Sequence, residues 1–324
     1  MSLATFRHAV GLIASAAVLA AMPAFAQQKY PDRTITMVVP FGAGGSTDIV
    51  GRIAADAMSK VLGVSMIIEN KGGAGGTIGA QAAANAAPDG YTITMSTTST
   101  HVVGPLTVDT VKYNPIKDFE HIGMIAETPY VLVISPKFAV NSVKELIDYA
   151  KKNPGKLNYG SAGQGSTTHL AALMFLNATG TDMVHVPYKS NAESTKAVLT
   201  DEVQVLFGSM PAVLGQIKGG AIRALAVGTT SRSPELPNVA TMQEAGVPGY
   251  RASLWLGISA PAKTPASVVN RLNAALGQAL ADPAVAKRLL DAGAEPSKMT
   301  PAEFSKLIAS ELEVYGKIVA GMKK

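Results

Sequence analysis

The chain has 324 residues, with 28 Lys and Arg against 23 Asp and Glu for a formal charge of +5, and 47% of its residues are hydrophobic. It contains no cysteine, which excludes thiol nucleophiles, disulfide frameworks, CxxC redox pairs and cysteine-ligated zinc or iron–sulfur centres. Charged residues make up 16%, below the usual ~25%, and 31 glycines with 19 prolines call for many backbone turns in a globular chain.

At the N-terminus, Arg7 and His8 precede an apolar run from Ala9 to Ala21, and Ala24-Phe25-Ala26 puts small residues at the −3 and −1 positions of a cleavage site. The run is shorter than the about 20 apolar residues that a membrane span needs. A cleaved secretory signal peptide over residues 1–26 is expected, leaving a mature chain of 298 residues with a charge of +4 outside the cytoplasm.

Strand-like and helix-like patterns then alternate, as in α/β layers with mostly parallel strands. Thr34 to Val39 reads as a buried strand, Thr47 to Leu62 as an amphipathic helix, Val64 to Glu69 as a strand and Tyr91 to Met95 as another. The last of these runs into the polar tract Ser96-Thr97-Thr98-Ser99-Thr100-His101, a candidate cleft wall or a solvated turn. A second cycle starts near Tyr130. Val131–Ser135 is a strand, and Ser142 with Glu145 forms a capping box for a helix to Lys152. Leu157–Tyr159, Asp182–Val186, Val203–Phe207 and Ile222–Val227 read as strands; His169–Thr179, Asn191–Leu199 and Val213–Lys218 read as helices. The tail from Pro265 is helical. Phe304, Leu307, Ile308, Leu312, Tyr315, Ile318, Val319 and Met322 share one face that should dock onto a core, with Glu303, Lys306, Glu311, Glu313 and Lys317 on the other faces.

No linker separates the two cycles. The chain is expected to cross between two lobes near residues 123–131 and 225–232, giving a discontinuous first lobe (27–126 and 229–324) and a second lobe (127–228).

The most informative segment is Val39-Pro40-Phe41-Gly42-Ala43-Gly44-Gly45-Ser46-Thr47-Asp48. Here a strand turns through glycines into a helix opened by Ser46 or Thr47, whose first N–H groups and dipole suit an anion. Gly160 to Ser166 repeats the arrangement in the second cycle, with hydroxyls on Ser161, Ser166, Thr167 and Thr168 and with His169 one turn into the helix. Two such sites could face each other and clamp a carboxylate; each alone could equally be a tight connection. Asp48 in a first helical turn is stabilised by the dipole without a ligand, or selects an amine or hydroxyl. Tyr188, in Pro187-Tyr188-Lys189, could cover a ligand or sit in a surface loop.

Other chemistries fail on spacing. No Gly-Lys-Ser or Gly-Lys-Thr completes a Walker A loop, and Gly73–Gly79 is one residue too long for a dinucleotide fingerprint. The nucleophile elbow is missing, since Ser166 falls one position late, although a secreted serine hydrolase using Ser166 and His169 stays as the alternative. The histidines at 8, 101, 121, 169 and 185 contain no zinc spacing, so no metal or cofactor is expected. Basic residues are dispersed, and one Trp with eight Phe gives no stacking platform for nucleic acid.

The segment Pro40–Asp48 resembles the P-[FY]-x-x-G-G-x-x-D motif of the tripartite tricarboxylate transporter substrate-binding proteins, also called the Bordetella uptake gene family. Glu69–Gly76 is similar to their E-N-x-x-G-A-G-G loop, Pro88–Thr92 to their P-D-G-Y-T turn, and Tyr159–Leu170 to Y-[GA]-S-x-G-x-G-[ST]-x-x-H-L. His185–Lys189 and Ile222–Val227 also fit. The resemblance implies a periplasmic, two-lobed binding protein, monomeric and not an enzyme, that closes on a small organic carboxylate (a dicarboxylate or an aromatic acid) and passes it to the membrane components of a tripartite transporter. It implies ligand contacts from Phe41, Gly42, Ala43, Gly44, Gly45 and Asp48 in one lobe and from Ser161, Gly163, Gly165, Ser166 and His169 in the other; Ser96 and Tyr188 are added as cleft residues. Many relatives carry Asp after the strand corresponding to Val203–Phe207, where this chain has Gly208-Ser209, so their preference for an amino group is not carried over.

Overall fold

Strand β1 (Ile35–Val39) is apolar and buried along nearly its whole length, which is the pattern of a strand covered on both faces. The computed structural model describes residues 30–297 and 299–322, and every helix and strand among them lies from Arg33 onward; the expected signal peptide is outside the described residues. After the Phe41–Gly45 turn, α1 (Ser46–Leu62) buries Val50, Ile53, Ala54, Ala57 and Met58 on one stripe. Each large side chain so removed from water is worth about 1.5–3 kcal/mol. β2 (Met66–Asn70) and β3 (Thr92–Thr97) flank β1 in parallel, and α2 (Thr77–Ala84) connects them.

β4 (Phe119–Ile134) is far longer than the strand expected from Val131. β5 (Asn158–Ser161), β6 (Val184–Pro187) and β7 (Val205–Ser209) alternate with helices α3 (Val143–Lys152), α4 (Thr167–Thr179) and α5 (Asn191–Thr200). α6 (Met210–Lys218), β8 (Arg223–Val227) and β9 (Ser253–Pro261) follow, then α7 (Ala266–Ala281), α8 (Pro283–Asp291), the short β10 (Glu295–Pro296) and α9 (Pro301–Met322). The strand order is β2-β1-β3-β9-β4-β7-β5-β6, with β8 and β10 also paired to β4. Both wings are parallel, as expected for an α/β chain, whereas the pairs around β4 and β9 are antiparallel.

β4 changes partners along its length. Phe119–Pro129 pairs with β9, and Tyr130–Ile134 pairs with β7 and β8. Gly228 N donates to Tyr130 O at 2.7 Å and Ala252 N donates to Gly228 O at 2.9 Å, so three passes of the chain lie side by side at the handover.

The tail docks as its stripe requires. Phe304 and Ile308 are buried against Val102, Met124 and Trp255, and Val319 packs with Val103 and Leu170. One residue is misplaced by the stripe reading: Glu311 faces inward and accepts a hydrogen bond from Trp255 Nε1 at 2.5 Å.

Candidate functional site

Three helix starts meet at one cavity. Ser46 and Thr47 open α1, Thr167 and Thr168 open α4, and Asn191 opens α5; Phe41, Gly45, Ser99, Tyr130, Ala162, Ser166 and Leu254 complete the lining. The glycine turns after β1 and β5 bring the helix starts here, because each ends a buried strand and lets the chain reverse within a few residues. No Asp, Glu, Lys, Arg or His lies among the lining residues. An anion here would therefore be held by helix-start N–H groups, helix dipoles and hydroxyls rather than by a cation. The cavity volume is ≈ 10 Å³, about the room one water needs, so an organic acid enters only when the walls part.

Side chains tie the walls together across the cavity. Ser46 Oγ accepts from Asn191 Nδ2 at 3.1 Å and from Ser209 Oγ at 2.7 Å, and Asn191 Nδ2 also donates to Ser209 Oγ at 2.8 Å. Ser99 Oγ accepts the Thr167 N–H at 3.0 Å and lies 2.8 Å from Thr167 Oγ1, which also bonds the Tyr130 hydroxyl. Asn191 Oδ1 is buried without a hydrogen-bond partner among the described residues. The Gly73–Gly76 loop presses on the second glycine loop as well. Gly75 has φ +64°, and a Cβ there would stand 2.5 Å from Gln164 O.

Of the residues expected from sequence to contact a ligand, Phe41, Gly45 and Ser166 line the cavity, together with Ser46, Thr47, Thr167 and Thr168 of the two expected helix starts and Ser99 of the polar tract after β3. Gly42 packs on Ser190, Gly44 is exposed and donates its N–H to Asp48 Oδ2 at 2.9 Å, and Ala43 is exposed at the turn. Asp48 does not turn toward the cavity. Its Oδ2 accepts from Gly44 N and from Arg52 Nε at 2.9 Å, and its Oδ1 accepts from Asn70 Nδ2 at 2.9 Å. Burial pushes its carboxyl up, but the hydrogen bonds from Arg52, Gly44 and Asn70 together outweigh burial and hold it below the usual carboxylate range. Asp48 is thus a clamp on the glycine turn.

In the second loop, Ser166 caps α4 by accepting the His169 N–H at 3.3 Å, and its hydroxyl donates to Gly163 O at 2.6 Å. Ser161 Oγ accepts the Gly163 N–H at 3.0 Å and lies 2.6 Å from His185 Nε2, so Ser161 and Gly163 set the loop's shape from behind. The His169 ring stacks on His185 with centroids 4.0 Å apart and lines a neighbouring pocket together with Gly165, Leu170 and Val319. Burial, then His185, pushes His169 down to about 4. The Ser166 hydroxyl is engaged by Gly163 O and Thr168 rather than by the His169 ring, so the hydrolase dyad is not assembled.

Two expected cleft residues sit elsewhere. Ser96 is buried in a cluster with Ser259 and His121, its Oγ accepting from Ser259 Oγ at 3.0 Å. Tyr188 sends its hydroxyl to Glu202 Oε1 at 2.7 Å and packs on the core beneath α5 and α6. The reading from sequence did not single out Tyr130, Asn191 or Leu254. For Asn191 a signal was present: Ser190 and Glu193 form a second S-x-x-E cap, with Ser190 Oγ accepting Glu193 N at 3.2 Å. Gly208 and Ser209 add no carboxylate. A Cβ on Gly208 would meet Val213 Cγ1 at 2.5 Å, and the Ser209 hydroxyl is spent on Ser46.

The family described as tripartite tricarboxylate transporter family receptor matches residues 50–323. Among solved structures, the chain is similar to periplasmic binding protein BugD, at 35% identity over 91% of this chain and 99% of that one, with TM-score 0.88. It is similar to an R. palustris protein solved with adipate (35% identity, 90% and 98% covered, TM-score 0.87). It is also similar to MatC from Rhodopseudomonas palustris with bound malate (32% identity, 90% and 100% covered, TM-score 0.86). These relatives are binding proteins rather than enzymes, which removes the hydrolase alternative. No helix among the described residues is long and apolar enough to cross a membrane. The chain belongs to the tripartite tricarboxylate transporter receptor family, the Bordetella uptake gene family of periplasmic solute-binding proteins.

Proposed function

We propose that this protein captures a small dicarboxylate, or an aromatic acid, at the junction of the α1, α4 and α5 starts and delivers it to the membrane components of a tripartite transporter. The observation that carries the reading is the convergence of those starts on a cavity free of charged side chains. Each start supplies N–H groups that have no carbonyl partner within the helix, some of them already capped by Ser99, Ser166 and Ser190 hydroxyls, and roughly half a positive charge from the dipole, which suits a carboxylate. The buried, unpartnered Asn191 Oδ1 is an acceptor for a ligand hydroxyl, as in a hydroxy-dicarboxylate.

Lobe 1 takes residues 27–126 and 229–324, and lobe 2 takes 127–228. The change of partners between Pro129 and Tyr130 of β4, three residues past the stated boundary, supports a crossing between lobes in this part of the strand. A cavity of ≈ 10 Å³ supports a cycle in which the lobes open to load and close on the acid. The protein acts as a monomer in the periplasm after removal of residues 1–26, and intact mass of the exported protein tests the cleavage. Calorimetry with malate, adipate and benzoate against an uncharged sugar tests the ligand class. Heat from the acids and none from the sugar is expected; the reverse refutes the assignment.

A further inference from the structure

A second pocket lies on the other side of the handover strands from the cleft. A pocket of ≈ 460 Å³ lies between α9, β4, β9 and α4, in the size range of pockets that hold small organic molecules. Met124, Met174, Met299 and Leu307 give it adaptable apolar walls. It is separate from the cleft: successive strand residues point to opposite faces, so Leu254 lines the cleft while Ser253 and Trp255 line this pocket.

We infer that this pocket is a second ligand site, specific for an organic ammonium with an apolar body. The ionisable side chains lining it are Glu127 from β4, Arg251 from the segment before β9, and Glu311 and Tyr315 from α9. Two carboxylates thus face one guanidinium, and Arg251 is exposed and forms no ion pair among the described residues. Glu311 receives one donor, Trp255 Nε1, on one oxygen, and a carboxylate has capacity for about four. Burial and then Glu127 raise its carboxyl to about 7, against the pull of the Trp255 bond and Arg251. A ligand cation supplies the missing compensation, and the Trp255 and Tyr315 rings, which also line the pocket from β9 and α9, are good cation partners.

Trp255 is the only tryptophan in the sequence, so its fluorescence reads the pocket directly. The probe is 2-phenylethylammonium, with isosteric 2-phenylethanol as the neutral comparison, titrated into the full-length mature protein. At about pH 8 a saturable change is expected with the ammonium, at least ~10-fold weaker with the alcohol. Lowering the pH to about 6 weakens ammonium binding, because Glu311 takes up a proton and loses its charge. Glu311→Gln weakens it at least ~10-fold; if that variant does not fold, Glu127→Gln is read instead and is expected to weaken it by a smaller factor. No saturation up to about 10 mM, equal response to the alcohol, or unchanged affinity in a folded Glu variant would each overturn the inference. A dicarboxylate titration in parallel separates this result from that of the cleft.

Discussion

Closure of the Gly73–Gly76 loop onto the glycine loop after β5 can be blocked by one methyl group. In Gly75→Ala the new Cβ lies 2.5 Å from Gln164 O, 2.8 Å from Gly165 C and 2.9 Å from Ser166 N. All are backbone atoms, so no side-chain rotation relieves the clash, and reaching van der Waals distance requires the loops to part by about 1 Å. Two costs can be told apart. The φ of +64° at this position penalises an L-residue by about 1–2 kcal/mol whether or not the loops touch, and this lowers the unfolding free energy. The overpacking cost, about 1–3 kcal/mol, is paid only when the loops close, so it reduces ligand affinity roughly 5–150-fold. Calorimetric titration of adipate with a parallel denaturant melt reads both. Affinity within about twofold of wild type, in a variant shown to carry alanine, would refute the view that these loops must meet to hold the acid.

Other expectations follow from the same geometry. Asp48→Asn removes the charge that Gly44, Arg52 and Asn70 share, and should cost about 1.5–3 kcal/mol in a urea melt and flatten the acid limb of stability. With its folded carboxyl held below the unfolded value, Asp48 contributes stability above about pH 4 that is lost as pH falls further; an unchanged acid limb in Asp48→Asn contradicts this. His169 behaves in the opposite sense to a salt-bridged histidine. Its folded value of about 4 lies below the unfolded ~6.5, so stability should fall as pH drops through that window, and an NMR midpoint near 6.5 would be wrong for this packing. Phe304→Ala empties a fully buried site against Trp255 and should cost about 3–5 kcal/mol; a loss under about 1 kcal/mol would mean that the tail is not docked.

What could be read from sequence was local. The strand–glycine–helix unit from Ile35 to Leu62, the Ser142 cap and the inward stripe of the tail depend on neighbours within a few residues. β9 is buried on both faces and so shows no alternation in the sequence, and register shifts at His121/Gly123 and Met124/Ala126 mask the first half of β4. The roles of polar side chains were set by distant partners. Ser96 meets Ser259, Asp48 meets Asn70 and Tyr188 meets Glu202, so residues that look poised for a ligand are satisfied within the protein. Glu311 shows the converse: a charge that reads as solvent-facing is drawn inward by the Trp255 indole.

In the proposed closed state, carboxylate oxygens of the ligand sit on the converging helix starts. A crystal structure of the complex with malate or adipate decides this. The expected result places one carboxylate within about 3.2 Å, directly or through one water, of N–H or hydroxyl groups at Ser46–Thr47 and at Thr167–Thr168. A carboxylate held instead by Lys or Arg side chains, away from these residues, would contradict it.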